Sequence, residues 1–324
     1  RRRPRSGCGA LTAASQPQPE VREAVSRALA EDLGPLGDLT AALIPEGTSA
    51  SASVVSRSAG VLAGTSCAAE AFAQVDPSIA VRWCRSDGEA VEPGTVVATV
   101  RGPLASILTA ERTALNFLGH LSGVATLTRR YVDAVARANP RTRVLDTRKT
   151  LPGLRAFEKA AVRAGGGHNH RSGLSDAVLV KDNHLAGVSI GDAVARAGEL
   201  WPGRMVEVEC DRPEQVDEAV VAGATVVMLD NMSVDEVAEC AARVHAAGRG
   251  ILVEVSGGLD LEMAPAMAAA GADLISVGAL THSAPVLDLG LDVQPEPPGE
   301  RARAGRPSGR GAVRGGSDAV EGGG

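Results

Sequence analysis

The chain has 324 residues, room for one large domain or two medium ones, and 44% hydrophobic content to fill a core although aromatics are only 2%. A net charge of -6 and a pI near 5.6 give it no basic surplus for nucleic acid. No apolar run is long enough for a bilayer, so a membrane role is not expected. Five scattered cysteines, Cys8, Cys67, Cys84, Cys210 and Cys240, form no C-x-x-C pair and read as reduced thiols of a cytoplasmic protein.

Residues 1–19 carry positive charge and proline but no apolar core of a secretory signal, and read as a flexible extension. Val21, Ala24, Val25, Ala28 and Leu29 recur at helical spacing. Strand-like pieces follow at 51–57, 60–64, 79–85 and 95–102, interrupted by a helical piece at 67–75. The run DGEAVEPGTVVATVRGP resembles the hairpins of lipoyl- and biotinyl-carrier sandwiches, but it has no lysine at its tip, so carrier function is not expected. A long helical stretch from Ser106 to Ala138 links this half to the next.

The second half alternates apolar strands with amphipathic helices. The strands are RVLDT, AVLVKD, MVEVEC, TVVMLD, ILVEVS and LISVGA; helices are expected at 217–223 and 234–248. Six such units without a dinucleotide fingerprint favour an α/β barrel over an open Rossmann sheet. Residues 295–324 are Pro, Gly, Arg and Glu with little to bury, and read as a disordered tail.

Parallel strands deliver their C-terminal ends to one face, where barrel active sites lie. Those ends carry Arg148 and Lys149, Lys181, Glu209, Asp230, Ser256-Gly257-Gly258, and Gly278-Ala279. The turn at Ser256-Gly257-Gly258, expected to lead straight into a helix, and the turn at Gly278-Ala279 suit a phosphate held by backbone N–H groups. Glu209 and Asp230 suit sugar hydroxyls, a divalent metal, or acid–base work. Arg148, Lys149, Arg171 and Lys181 supply the cationic side, with Arg as a bidentate grip on carboxylate or phosphate. His170 is assigned to hydrogen bonding of an anion; His168, His184 and Arg163 are read as structural. Concentrated cations on an acidic chain point to a small, highly anionic ligand. Lys181 keeps a second reading, as the Schiff-base lysine of a barrel lyase.

The motifs DTRKTLPGLR, AVRAGGGHNHRSGL, KDNH, VEVECD, MLDNMS, SGGL and VGALTHS, preceded by EDLGPLGDLT and ERTALNFLGHLSG, resemble those of quinolinate phosphoribosyltransferase over residues 20–293. The resemblance implies an N-terminal α/β sandwich at 20–125, an incomplete α/β barrel at 126–282, and a return segment at 283–294 packing on the first domain. It implies quinolinate and phosphoribosyl pyrophosphate as substrates, magnesium as cofactor, and decarboxylation to nicotinate mononucleotide. It also implies a homodimer or higher assembly with a shared site, in which Arg112 crosses from one subunit to another. Quinolinate would then meet Arg112, Arg148, His170, Arg171 and Lys181. Phosphoribosyl pyrophosphate would meet Lys149, Glu209, Asp230 and the two glycine turns, with magnesium near Glu209 and Asp230. Lys149, Lys181, Glu209 and Asp230 are the expected catalytic residues. The nearest alternative is a nicotinate phosphoribosyltransferase-like enzyme, which takes the mono-acid.

Overall fold

The computed structural model describes residues 18–296. The expected tail and all but the last two residues of the expected N-terminal extension lie outside that range.

In chain order the first half comprises α1 (Pro19–Leu33), β1 (Ser49–Ser56), β2 (Gly60–Val61), α2 (Thr65–Val75), β3 (Ala80–Trp83), β4 (Ala90–Val91) and β5 (Val96–Pro103). α1 starts with a proline in its first turn, where the missing N–H costs nothing. β1, β3 and β5 form one antiparallel sheet, and β2 pairs with β4 in a short ladder. β1 alternates exposed or half-buried with buried residues, as a strand covered on one face must. α2 and the long α3 (Leu104–Ala138) bury apolar side chains that join the same core.

The second half runs β6 (Arg143–Leu145), α4 (Arg155–Ala164), β7 (Val178–Val180), α5 (Ile190–Leu200), β8 (Val206–Cys210), α6 (Pro213–Ala222), β9 (Val226–Asp230), α7 (Val234–Ala246), β10 (Leu252–Ser256), α8 (Met263–Ala269), β11 (Leu274–Ser276) and α9 (Ala279–His282). Its six strands are parallel in the order β6-β11-β10-β9-β8-β7, with β6 and β7 as the two edges of an open barrel. β9 is buried on both faces, which is why it opens with a continuous Val-Val-Met-Leu run, whereas β8, almost as buried, carries Glu207 and Glu209 between its apolar residues. Ser189 caps α5, and Ser233 and Glu236 form a capping box at α7. The last strand, β12 (Leu289–Glu296), returns to pair antiparallel with β1. α3 passes without a break through the expected division at residue 125, and no helix among the described residues is long and apolar enough to cross a membrane.

Two expectations change. The helix after Ser256-Gly257-Gly258 does not follow directly: α8 begins at Met263, after a turn whose Asp260 side chain accepts from the Glu262 and Met263 N–H groups. The cysteines are not uniformly reduced: Cys67, Cys210 and Cys240 are free and buried, but Cys84 is disulfide-bonded.

The triple glycine is a packing device. A Cβ on Gly165 would lie 2.5 Å from the Ala125 carbonyl oxygen and 2.6 Å from Thr128 Cβ, both on α3. One on Gly167 would lie 2.7 Å from Thr128 Cγ2 and 2.9 Å from Val162 Cγ1. Gly166, at φ +91°, takes the left-handed turn between them. The chain leaving α4 can therefore press against α3 before it reaches His168 and His170. Gly165→Ala is expected to destabilise by about 1–3 kcal/mol through overpacking. Gly198→Ala, with open space in α5, is expected to be neutral or to stabilise by about 0.5–1 kcal/mol. Urea denaturation of the two variants checks the contrast.

Candidate active site

A cavity of about 380 Å³ opens among the barrel strand ends. Its walls bring together Arg148, Lys149, His170, Arg171, Lys181, Glu209, Asp230 and Ser256 from the sequence-derived set, with Thr147, Leu179, Met228, Glu254 and Ser276 added. A larger cavity, about 670 Å³, lies between α1, α3 and the 152–154 turn; its charges, Arg27, Glu31, Asp32 and His120, do not form a one-sign anion grip. The chemistry points to the smaller one.

The cationic loops are tied down from beneath. Asp146, fully buried at the end of β6, takes an ion pair from Lys159 of α4 and accepts the His170 N–H at 2.9 Å. Lys159 Nζ also donates to the His170 carbonyl at 3.0 Å. Arg155 reaches both sides of the pocket, donating to Ser172 O at 3.1 Å and to Arg148 O at 3.4 Å. Lys149 is held at its backbone: its N–H donates to Thr147 Oγ1 at 3.0 Å and its carbonyl accepts from Thr281 Oγ1 at 2.8 Å. Arg163 donates to Asn169, and His184 Nδ1 accepts the Lys181 N–H at 3.0 Å, so these two side chains brace loops.

Among the carboxylates, Glu209 forms an ion pair with Lys181. Asp230 Oδ2 accepts from Asn231 Nδ2 at 2.7 Å. Asn231 has φ 57°, the left-handed region, and packs against Gly257: a Cβ there would sit 2.9 Å from the Asn231 backbone nitrogen. Gly257 itself is at φ +104°. The asparagine thus couples the Asp230 carboxylate to the Ser256-Gly257-Gly258 turn. At the other turn, a Cβ on Gly278 would lie 3.0 Å from Lys149 Cδ and 3.1 Å from His282 Nε2. Ala279 opens the four-residue α9 directly after it. Arg112 is not in this pocket; it lines a separate cavity on α3 with Asn116, His120 and Val286.

Under the cations lies a group that the sequence reading did not assign. Glu207 and Glu254 are buried at 0% and 1% exposure. Glu207 shares the inward face of β8 with Glu209, and Glu254 that of β10 with Ser256, two residues apart in each case. His170 Nε2 lies 3.0 Å from Glu207 Oε2 and 3.6 Å from Glu254 Oε2. These are close contacts rather than aligned hydrogen bonds, since neither Glu207 oxygen nor His170 Nε2 has a hydrogen-bond partner. Ser276 Oγ donates to Glu254.

Burial pulls the His170 pKa down, but contact with Glu207 and the charges of Glu254 and Glu207 outweigh it, and the net shift is upward. Burial, reinforced by Glu207, pushes the Glu254 carboxyl up to about 7. Burial and the neighbouring Arg148 charge hold Arg171 below its ordinary value. The alternation V-E-V-E in β8, and V-E-V-S in β10, was the available signal: a residue two before an inward-facing one also faces inward.

Both halves of the chain match known protein families. The quinolinate phosphoribosyl transferase C-terminal domain matches residues 124–292 and the N-terminal domain residues 38–122. The chain belongs to the quinolinate phosphoribosyltransferase family. Relatives within it include the probable nicotinate-nucleotide pyrophosphorylase [carboxylating] of Bacillus subtilis, 41% identical over 85% of this chain and 93% of that protein. The Mycobacterium leprae enzyme of the same name is 42% identical over 84% of this chain and 97% of that one. Among solved structures, the nicotinate-nucleotide pyrophosphorylase from Francisella tularensis superposes with a TM-score of 0.81 at 39% identity, covering 88% of this chain and all of that one. The two-domain fold of quinolinate phosphoribosyltransferases is therefore the fold of this chain.

The raised Glu254 carboxyl has a consequence for stability. The native group keeps its proton to higher pH than an unfolded glutamate, so its contribution is complete below about pH 4.5 and is lost as pH rises through about 7. Glu254→Gln removes that titration. Urea melts from pH 4.5 to 7.5 are expected to show a smaller loss of stability with rising pH in the variant than in the wild type.

Proposed function

We propose that the barrel pocket joins quinolinate to phosphoribosyl pyrophosphate, giving nicotinate mononucleotide, pyrophosphate and carbon dioxide for NAD biosynthesis. The observation that carries this reading is the convergence of Arg148, Lys149, Arg171 and Lys181 with Glu209 and Asp230 in one cavity. Quinolinate brings two carboxylates and a phosphate monoester roughly -1.5 to -2 charges at neutral pH. Such substrates call for this density of cations in a protein whose net charge is -6.

Arg148, Arg171 and Lys181 would grip the quinolinate carboxylates, with His170 beside them. Ser256, Gly257, Gly258, Gly278 and Ala279 would take the 5-phosphate through backbone N–H groups. Glu209 and Asp230 would accept from the ribose hydroxyls and favour positive charge developing at C1 of the sugar. The pyridine nitrogen attacks C1, the C1–O bond breaks, and pyrophosphate leaves against Lys149. The ring nitrogen is then cationic and draws in the electron pair left when the adjacent carboxylate departs as carbon dioxide; a proton replaces it on carbon. Glu209 and Asp230 are hard oxygen donors lining the pocket, which fits magnesium held partly through water and substrate. Bound there, magnesium would neutralise pyrophosphate charge.

Arg112 lies outside the pocket of its own chain. Leu36, Leu39 and Leu43, between 66% and 82% exposed, mark an uncovered apolar stretch on the same N-terminal half. Both support a homodimer or larger assembly in which Arg112 of one subunit completes the site of another. Phosphoribosyl pyrophosphate is an intracellular metabolite, which supports a cytoplasmic location. A Schiff-base lyase needs Lys181 as a free amine; here it is engaged by Glu209. A cationic cluster sized for two carboxylates disfavours nicotinate, the mono-acid.

Mass spectrometry of reactions with magnesium, phosphoribosyl pyrophosphate and either acid tests the assignment. Nicotinate mononucleotide is expected from quinolinate; product from nicotinate alone would move the chain to the non-decarboxylating reaction. Lys149→Ala is expected to lower kcat by about two orders of magnitude or more, the scale of losing an electrostatic stabiliser of the transition state, with unchanged thermal denaturation. Mixing Arg112→Ala with Lys149→Ala is expected to recover part of the activity through hybrid assemblies. No recovery after verified subunit exchange would remove Arg112 from a shared site.

A further inference from the structure

The reaction outlined above leaves unused the most heavily buried charges near the pocket. Glu207 is fully buried, and neither of its oxygens receives an aligned hydrogen bond. A carboxylate in that position costs stability, so its presence calls for another reason. Its neighbours indicate what requires it. The Arg171 N–H donates to His170 Nδ1 at 2.7 Å. Nδ1 is therefore an acceptor, so the ring hydrogen sits on Nε2, facing Glu207 and Glu254. The imidazole is thus held on both sides, and its own backbone is pinned to Asp146 and Lys159. Arg171 in turn feels repulsion from Arg148 and attraction from Glu207. Two guanidinium groups on one wall of a small cavity need a counter-charge below them, and Glu207 is placed to provide it. Glu254 faces the same imidazole from β10, anchored by Ser276.

We propose that Glu207 and Glu254 are positioning residues that hold His170 and Arg171 in the geometry that receives the pyridine dicarboxylate, and that they are retained at a cost to stability. The proposal rests on the quinolinate reaction assigned above. It separates the two substrates: the acid layer underlies the wall of Arg148, His170 and Arg171, whereas the phosphoribosyl side is built from Lys149, Asp230 and the glycine turns. Loss of either carboxylate should therefore weaken one substrate and spare the other. A divalent cation is the competing occupant, because one donor atom each of His170, Glu207 and Glu254 lie within 4.8 Å of one another. The positive charges of Arg148 and Arg171 beside the cluster oppose that.

The test uses the full-length enzyme with magnesium, following pyrophosphate release while each substrate is varied in turn. Glu207→Gln and Glu254→Gln are expected to raise KM for quinolinate by roughly tenfold or more, the scale of losing one oriented charge contact. KM for phosphoribosyl pyrophosphate should stay within about twofold, and Tm should be unchanged or higher. Ser276→Ala, the gentler change, should move quinolinate KM in the same direction by less. Equal rises in both KM values would overturn the proposal, as would a lowered Tm with quinolinate KM unchanged. Stoichiometric transition metal in the purified wild type, lost in Glu207→Gln, would replace it with a metal site. Formation of quinolinate-derived product in the first assay, whatever the variants do, keeps the reaction assignment separate from this outcome.

Discussion

Everything at the mouth of this barrel depends on keeping several like charges close together before any substrate arrives. Two unit charges 4 Å apart repel by about 4 kcal/mol at an effective dielectric near 20. Arg148, Lys149, Arg171 and Lys181 border one cavity of about 380 Å³. The fold answers with local counter-charge drawn from different strands. Glu209 takes Lys181 at the surface of the pocket, while Glu207 and Glu254 lie against His170, and Glu207 also attracts the Arg171 charge. Barrel geometry makes this cheap in sequence, because every second residue of a strand faces inward. One glutamate two positions before another puts a buried acid under a half-buried one.

The buried Asp146–Lys159 pair serves the same mouth by a different route. Residues 165–171 form no regular element after α4, and loops of that kind are ordinarily mobile. Asp146 collects Lys159, Asn169 and the His170 N–H at the end of β6, and Lys159 returns a bond to the His170 carbonyl. Breaking one partner of such a pair strands a buried charge, at about 3–5 kcal/mol. The loop is therefore fixed by the strand that ends beside it, and the positions of His170 and Arg171 follow from that.

The fold and most of the pocket were legible because they rest on rules with short periods. Strand ends in a parallel barrel share one face, so Arg148, Lys149, Lys181, Glu209, Asp230 and Ser256 could be placed together from the alternation of apolar runs alone. What the sequence hid was of two kinds. Glu207 and Glu254 sit inside apolar strands, where a lone acid looks like noise until the strand's inward face is known. Asn231 and Arg155 act through backbone geometry, a left-handed residue against Gly257 and a fork spanning two loops, which no local pattern announces. The family motifs contain Glu207, Asn231 and Arg155 without saying what they do, and Glu254 falls two residues before one of those motifs.

The glycines make the same point about cause. Three consecutive glycines beside a cationic cluster invite a phosphate-loop reading, yet Gly165 and Gly167 are small because α3 leaves no space for a methyl group. Gly257 is small because Asn231 presses on it, and there, unlike at 165–167, the glycine adjoins a strand end suited to phosphate. A glycine-rich run is evidence of close approach, and what approaches must be read from the opposing surface. At 165–167 that surface is a helix of the same chain; at 257–258 it is the mouth of the barrel, with Gly258 facing open space where a ligand's backbone contacts would form.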